Sequence, residues 1–225
     1  MTSIFQAALG DDFERLHPQL QRRFGFTSAD GVGCVGRGVM LDLERGPWWT
    51  VPFLRLGASR HIMFPESGHD VPFSIENYAY VDTFGRETLT FVRTFEVRPH
   101  RRRRFDATMV YDPATRRIVD YLGTHQHLAV TIEPSVLDDG SLRMRGTDQH
   151  FYEGVVGFRF PMTFSGFADV HEGYDDEREL FTIDAEVSNH RFGRIFHYRG
   201  EFTCEYPEAP VPPSAVKPLR EERRT

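Results

Sequence analysis

The chain has 225 residues, 40% of them hydrophobic, and a net charge of −6 at neutral pH, which is enough for one sizeable core of the kind a single all-β sandwich or barrel builds. No apolar run approaches the roughly 18 to 20 residues of a membrane-spanning helix, and Met1-Thr2-Ser3-Ile4-Phe5-Gln6 lacks the basic-then-apolar layout of a signal peptide. Two cysteines, Cys34 and Cys204, are too few for a disulfide scaffold, so a soluble cytoplasmic protein with reduced thiols is expected. Lys217 is the only lysine. The body of the chain therefore has no amine for a Schiff base and no P-loop lysine, and no cofactor is expected.

In chain order, residues 3–24 read as two short helical pieces interrupted at Leu16-His17-Pro18, because proline restricts its predecessor and lacks an N–H. Leu9, Phe13, Leu16, Leu20 and Phe24 form an apolar stripe at helical spacing, which reads as a lid on a sheet. Residues 31–40 form a glycine-rich first strand, and Pro47 to Leu56 a short helix. Although Gly31, Gly33 and Gly36 fit Gly-x-Gly-x-x-Gly, no βαβ unit surrounds them, so the nucleotide-binding reading fails.

From Phe73 to Tyr206 the chain alternates apolar and polar residues at period two, the pattern of a sheet with one dry face. Strands are expected at roughly 73–82, 87–97, 104–111, 116–122, 126–133, 141–152, 167–175, 178–187 and 192–206. Asp112-Pro113-Ala114-Thr115 and Asp138-Asp139-Gly140 carry hairpin turn chemistry. The fold class is mainly β: an antiparallel, strongly curved sheet or barrel of about nine or ten strands, with the helices across one end. Residues 1–206 form this β-rich domain. Residues 207–225 are Pro-rich and read as a disordered, dispensable tail.

Gly36-Arg37-Gly38, Phe91-Val92-Arg93-Thr94-Phe95, Phe160-Pro161 ahead of Glu172, and Tyr198-Arg199-Gly200 stand in an order and spacing that resembles the bacterial family known as domain of unknown function 4166. The resemblance spans about residues 4 to 205. It implies a protein that occurs alone or fused behind a saccharopine-dehydrogenase-like reductase domain, which makes a nucleotide-dependent reductase a candidate partner. The family has no established catalytic residues to carry over.

Two constellations carry candidate chemistry. In strand 87–97 the dry face consists of Leu89, Phe91, Arg93, Phe95 and Val97. A buried guanidinium needs a carboxylate, a ligand anion or water. Arg194 sits similarly among Phe192, Phe196 and Tyr198, and Glu172 shares a face with Ala168, Val170 and Tyr174. Arg93, Arg194, Glu172 and Tyr198 are therefore the candidate ligand-binding residues, with Glu172 or an acidic ligand as the partner of Arg93. The second constellation is His125, His127 and Glu133 on one strand face, with His150 on the next. His-x-His on a strand is how small barrels present two imidazoles to a metal, but the glutamate spacing misses the cupin pattern, and solvent-facing histidines are the preferred reading.

Arg98-Pro99-His100-Arg101-Arg102-Arg103-Arg104 reads as a solvated hairpin tip, and the acidic net charge argues against nucleic acid. Three function classes follow: a barrel binding a small, partly apolar acidic molecule, a metal-dependent enzyme using the histidines, or an accessory domain of a reductase. Oligomeric state is not legible.

Overall fold

The computed structural model describes residues 1–159 and 166–225; Phe160-Pro161, part of the family resemblance, lie outside the described residues. The helical start is built from local signals. In α1 (Ile4–Leu9) the Ser3 hydroxyl accepts from the Gln6 backbone N–H at 3.1 Å, and the Gln6 side chain accepts from the Ser3 N–H at 2.9 Å, a reciprocal cap. A 3-10 segment (Gly10–Arg15) leads to α2 (Pro18–Gly25), with Pro18 at its first turn and the His17 ring capping the Gln19 N–H. These pieces match the helical reading of residues 3–24.

The strands are β1 (Gly33–Arg45), β2 (Gly68–Val81), β3 (Glu87–Arg98), β4 (Arg101–Asp112), β5 (Arg117–Leu122), β6 (Leu128–Val136), β7 (Leu142–Glu153), β8 (Val156–Arg159), β9 (Phe167–Asp175), β10 (Leu180–Asn189) and β11 (Gly193–Glu205), with α3 (Val51–Ala58) between β1 and β2. Neighbours run β6-β5-β4-β3-β2-β1-β11-β10-β9-β7, and β7 pairs back to β6. The result is a closed, antiparallel, ten-stranded barrel. The short β8 hairpins onto the far half of β7 and was not foreseen, because Val155 and Val156 follow a turn with no alternation of their own.

Closure depends on how tightly β1 approaches β11. Gly38 faces Phe202 and Met40 faces Gly200. A Cβ on Gly38 would lie 2.0 Å from the Glu201 carbonyl oxygen, and one on Gly200 would lie 2.3 Å from that of Val39. Glycine is required at Gly38 and Gly200 by backbone contact, while Gly33 and Gly36, of the Gly-x-Gly-x-x-Gly match, are crowded by the side chains of Tyr78, Ile75 and Phe202. Just beyond, the register slips between Met40 and Asp42, a bulge on β1 facing Gly200 of β11.

Since β1 starts where α2 ends, α1 and α2 cover the end of the barrel from which β1 departs, and α3 covers the other. Phe5 and Phe24 pack against each other with rings tilted at 4.6 Å and reach Phe91 inside. Phe64, from the segment after α3, packs on Phe95 and Phe196 at 5.1 and 5.0 Å.

The end of the chain departs from the sequence reading. Residues 207–225 do not float: Ala209 donates to the Gly31 carbonyl at 2.7 Å, Leu219 to that of Thr124 at 2.7 Å, and the Tyr121 hydroxyl to that of Arg224 at 2.6 Å. Val216 is buried against Tyr78 and Val92, and Glu222 is buried with its N–H on the Gln126 side chain at 2.6 Å. The reason lies in the barrel's outer face, where Val92, Val110, Val119, Tyr121 and Ala129 form an apolar stripe that needs cover. Deleting residues 208–225 is expected to lower the melting temperature by about 6–12 °C, from about 3 kcal/mol of lost burial; calorimetry showing no shift would make the contacts energetically idle.

Candidate functional site

The interior is charged in two places. At the helix-capped end Glu172 of β9 and Arg23 of α2 are completely buried, with Arg23 Nε donating to Glu172 Oε2 at 3.0 Å. Arg23 Nη1 also reaches Cys34 Sγ at 3.2 Å and Cys204 Sγ at 3.5 Å. The hydrogen bond from Cys204, reinforced by the charge of Arg23 and opposed by burial, pulls the Cys34 thiol down to about 6, and Cys204 is held as the protonated partner. Both cysteines are free thiols. Glu172 therefore faces inward as its alternation required, but its partner is Arg23 and not Arg93. Sequence reasoning missed Arg23, although its place one turn beyond Leu20 and beside Phe24 sets it on the buried helix stripe.

Arg93 lies elsewhere. It is inward on β3 and 4% exposed, in register with Ile75 of β2 and Phe105 of β4. Its guanidinium carbon sits 5.3 Å from the Phe91 ring centroid and 5.0 Å from that of Phe105. No hydrogen bond or ion pair to it occurs among the described residues, and its Nε is buried without a partner. Arg93 is coupled by charge to Asp120 on β5, inward between Ile118 and Leu122. Asp120 is buried with Oδ1 unpartnered, and burial pushes its carboxyl up to about 7 against the pull of Arg93. Asp120 was not singled out from the sequence, although the alternation of strand 116–122 places it on the dry face.

Both residues line a cavity of about 560 Å³ that lies inside the barrel beneath α3. Met109, Leu122, Val130, Ile132, Met144, Val170 and Val187 make its wall, and Trp49, Phe53 and Leu54 of the α3 region lie over it. Trp49 packs on Phe192 across the mouth at 5.1 Å. Most polar side chains in this wall are already engaged. The Gln149 amide makes two bonds to the Gly166 backbone, the Thr50 hydroxyl donates to the Pro47 carbonyl, and Glu186 pairs with Arg194. Arg93, Asp120 and Tyr198, whose hydroxyl burial holds in its neutral form, are left facing the space.

Arg194 corrects the sequence reading. It is half exposed and binds Glu186 at 2.8 Å and Glu44 at 2.8 Å on the outside. The register of β10 with β11 slips opposite Ile195, Val187 pairing with Phe196 and Ser188 with Arg194. A one-residue slip turns every residue beyond it to the other face. Tyr198, on the regular side of the slip, is inward.

The histidine constellation does not assemble. His125 and His127 precede β6, where Gln126 has φ +52° and the alternation breaks. Their rings stack at 5.4 Å, and His127 is taken up by the Tyr152 carbonyl at 3.0 Å and Glu153 at 2.8 Å. Glu133 pairs with Arg117 at 2.5 Å, and His150 stacks on Tyr152. Among the described residues no group of three or more His, Cys, Asp or Glu could hold a metal ion. The arginine-rich turn is spent on local acids, Arg101 and Arg103 on Glu66 and Arg102 on Glu96. No helix among the described residues is long and apolar enough to cross a membrane.

Fold and interior together define a closed antiparallel barrel with an apolar cavity and an unpaired cation at its base. The chain belongs to the family described as domain of unknown function DUF4166, whose model matches residues 16–202. It is 32% identical over 213 residues to the uncharacterized protein YndH of Bacillus subtilis (strain 168), an alignment covering 93% of this chain and all of that protein. No solved structure matches it significantly.

Two outcomes follow from the buried charges. Arg23→Met should destabilise the protein by about 3–5 kcal/mol by stranding Glu172, and adding Glu172→Leu should recover much of that; denaturant unfolding of the single and double variants checks it. Asp120 is protonated in the fold to a higher pH than in the unfolded chain, so the fold holds more protons between about pH 4 and about pH 7 and loses stability as pH rises through that window. Asp120→Asn should flatten this part of the stability profile and melt higher than wild type at pH 8, read by thermal unfolding across pH.

Proposed function

We propose that this protein binds a small, partly apolar acidic molecule inside the barrel, its anionic head on Arg93 and its body along the apolar wall. The observation that carries this reading is the unpaired state of Arg93, a guanidinium buried at the base of a cavity of about 560 Å³. A charge in that setting has a large desolvation cost, and among the described residues no hydrogen bond or ion pair offsets it. The volume lies in the range of ordinary small-molecule sites, about 300–1,000 Å³, and an apolar wall with a few convergent polar groups is their usual make-up. Binding is the role supported, since the free polar groups include no nucleophile with an adjacent base.

Native mass spectrometry of the purified protein, followed by titration with decanoate, tests the reading. Arg93→Met should leave the ligand-free protein as stable as wild type or more so, because a buried cation is replaced by an apolar chain of similar length. The same change should weaken decanoate binding about thirtyfold or more, the worth of a charge-assisted bidentate contact. Equal affinity in the variant would remove Arg93 from the site.

A further inference from the structure

We propose that the cavity takes up a single-headed carboxylic acid together with one proton, the ligand carboxylate lying between the Arg93 guanidinium and the Asp120 carboxyl. This rests on the reading of the cavity as a ligand site and goes further by naming the head group and its proton linkage.

Arg93 and Asp120 face the same cavity from β3 and β5, one strand apart, yet no salt bridge closes between them. Asp120 Oδ1 and Arg93 Nε are both buried and unpartnered. Had the two met, the site would be neutral and finished. Unbonded to each other, a guanidinium and a carboxyl stand on the wall of one cavity. A planar carboxylate matches both: it accepts two N–H bonds from a guanidinium in one plane and one O–H bond from a protonated carboxylic acid.

The remaining lining restricts the class further. Arg93 is the one cationic side chain among the described lining residues, so a dianionic phosphate would keep an uncompensated charge in an apolar space. An amine would suit Asp120 but would be repelled by Arg93. A second acidic group on the ligand would find no partner along Met109, Val130, Ile132 and Met144.

The charge balance then requires the proton. With Asp120 ionised, the site carries one positive and one negative charge and is neutral. Adding a carboxylate gives two anions beside one cation, and two carboxylates this close do not both stay ionised. One proton enters from solvent, the Asp120 carboxylate becomes the acid, its O–H donates to the ligand, and the site returns to neutrality. Burial has already pushed Asp120 up to about 7, so it is the group that accepts the proton. The other titratable groups nearby are Tyr198 of β11, held neutral by burial; Glu172 of β9, bound to Arg23 of α2; and Glu186 of β10, bound to Arg194 at the rim.

The test is isothermal titration of the full chain with decanoate at pH 8, in buffers of low and high ionisation enthalpy, with decanol and decyl sulfate as companion probes. Decanoate should bind with uptake approaching one proton per chain, and its affinity should fall about tenfold per pH unit above pH 8. Decanol should bind at least tenfold more weakly. Asp120→Asn should still bind decanoate, with proton uptake gone and affinity nearly independent of pH between 7 and 9. Decanoate binding without proton uptake, uptake that persists in Asp120→Asn, or decanol binding as tightly as decanoate would overturn this proposal while leaving the cavity a ligand site. Failure of all three probes to bind would overturn the ligand-site reading itself.

Discussion

Ten strands closed into a barrel enclose more space than their own inward side chains can fill, since barrel width grows with strand number and eight strands already suffice for a packed or single-ligand interior. Much of this molecule answers that excess. At one end α1 and α2 drive Phe5 and Phe24 into the opening, and at the other Phe64 descends between Phe95 and Phe196. What neither plug reaches, on the side of β3 to β7 and β9 to β11, is the cavity. Closure itself is set by backbone contact between β1 and β11, where Gly38 and Gly200 allow carbonyls to lie where a Cβ would otherwise be.

Charge inside such a barrel has to be matched or left available. Arg23 and Glu172 are matched, and their bond fixes α2 to β9 across the barrel floor. Arg93 and Asp120 are inside at similar burial but unmatched. The same cost of burying an ion applies to both pairs, so the direct ion pair that Arg23 and Glu172 form, and Arg93 and Asp120 do not, separates a structural pair from a site. Size and sequence position do not separate them. Both arginines stand in apolar stripes, and both acids stand on inward strand faces.

The outside follows a complementary logic. A barrel strand ordinarily shows polar residues to solvent, but β3 to β6 carry Val92, Val110, Val119, Tyr121 and Ala129 outward. The final residues lie over this stripe, and arginine carries much of the attachment. Arg86 donates to the Glu222 carbonyl at 2.6 Å, and Arg224 lies over the Tyr152 ring at 4.5 Å. Proline density keeps the segment extended, which suits a strap following the barrel surface as well as it would suit a free tail.

The sequence by itself determined the fold class, the places of every strand but β8, the helical start and the inward direction of Arg93, Glu172 and Tyr198, because period-two alternation reports which face of a strand is dry. Its reach ended wherever the period was broken. The slip opposite Ile195 sent Arg194 outward, and the left-handed Gln126 took His125 and His127 off the strand. The docked tail was hidden for another reason: proline-rich composition describes the segment, while its docking depends on an apolar stripe contributed by four other strands. Only the tertiary structure decided which buried charges meet. Glu172 found Arg23, 149 residues away, and Arg93 and Asp120 were left lining one cavity without a bond between them, because pairing inside a closed barrel is fixed by strand order, tilt and the depth of each plug, which are properties of no single segment.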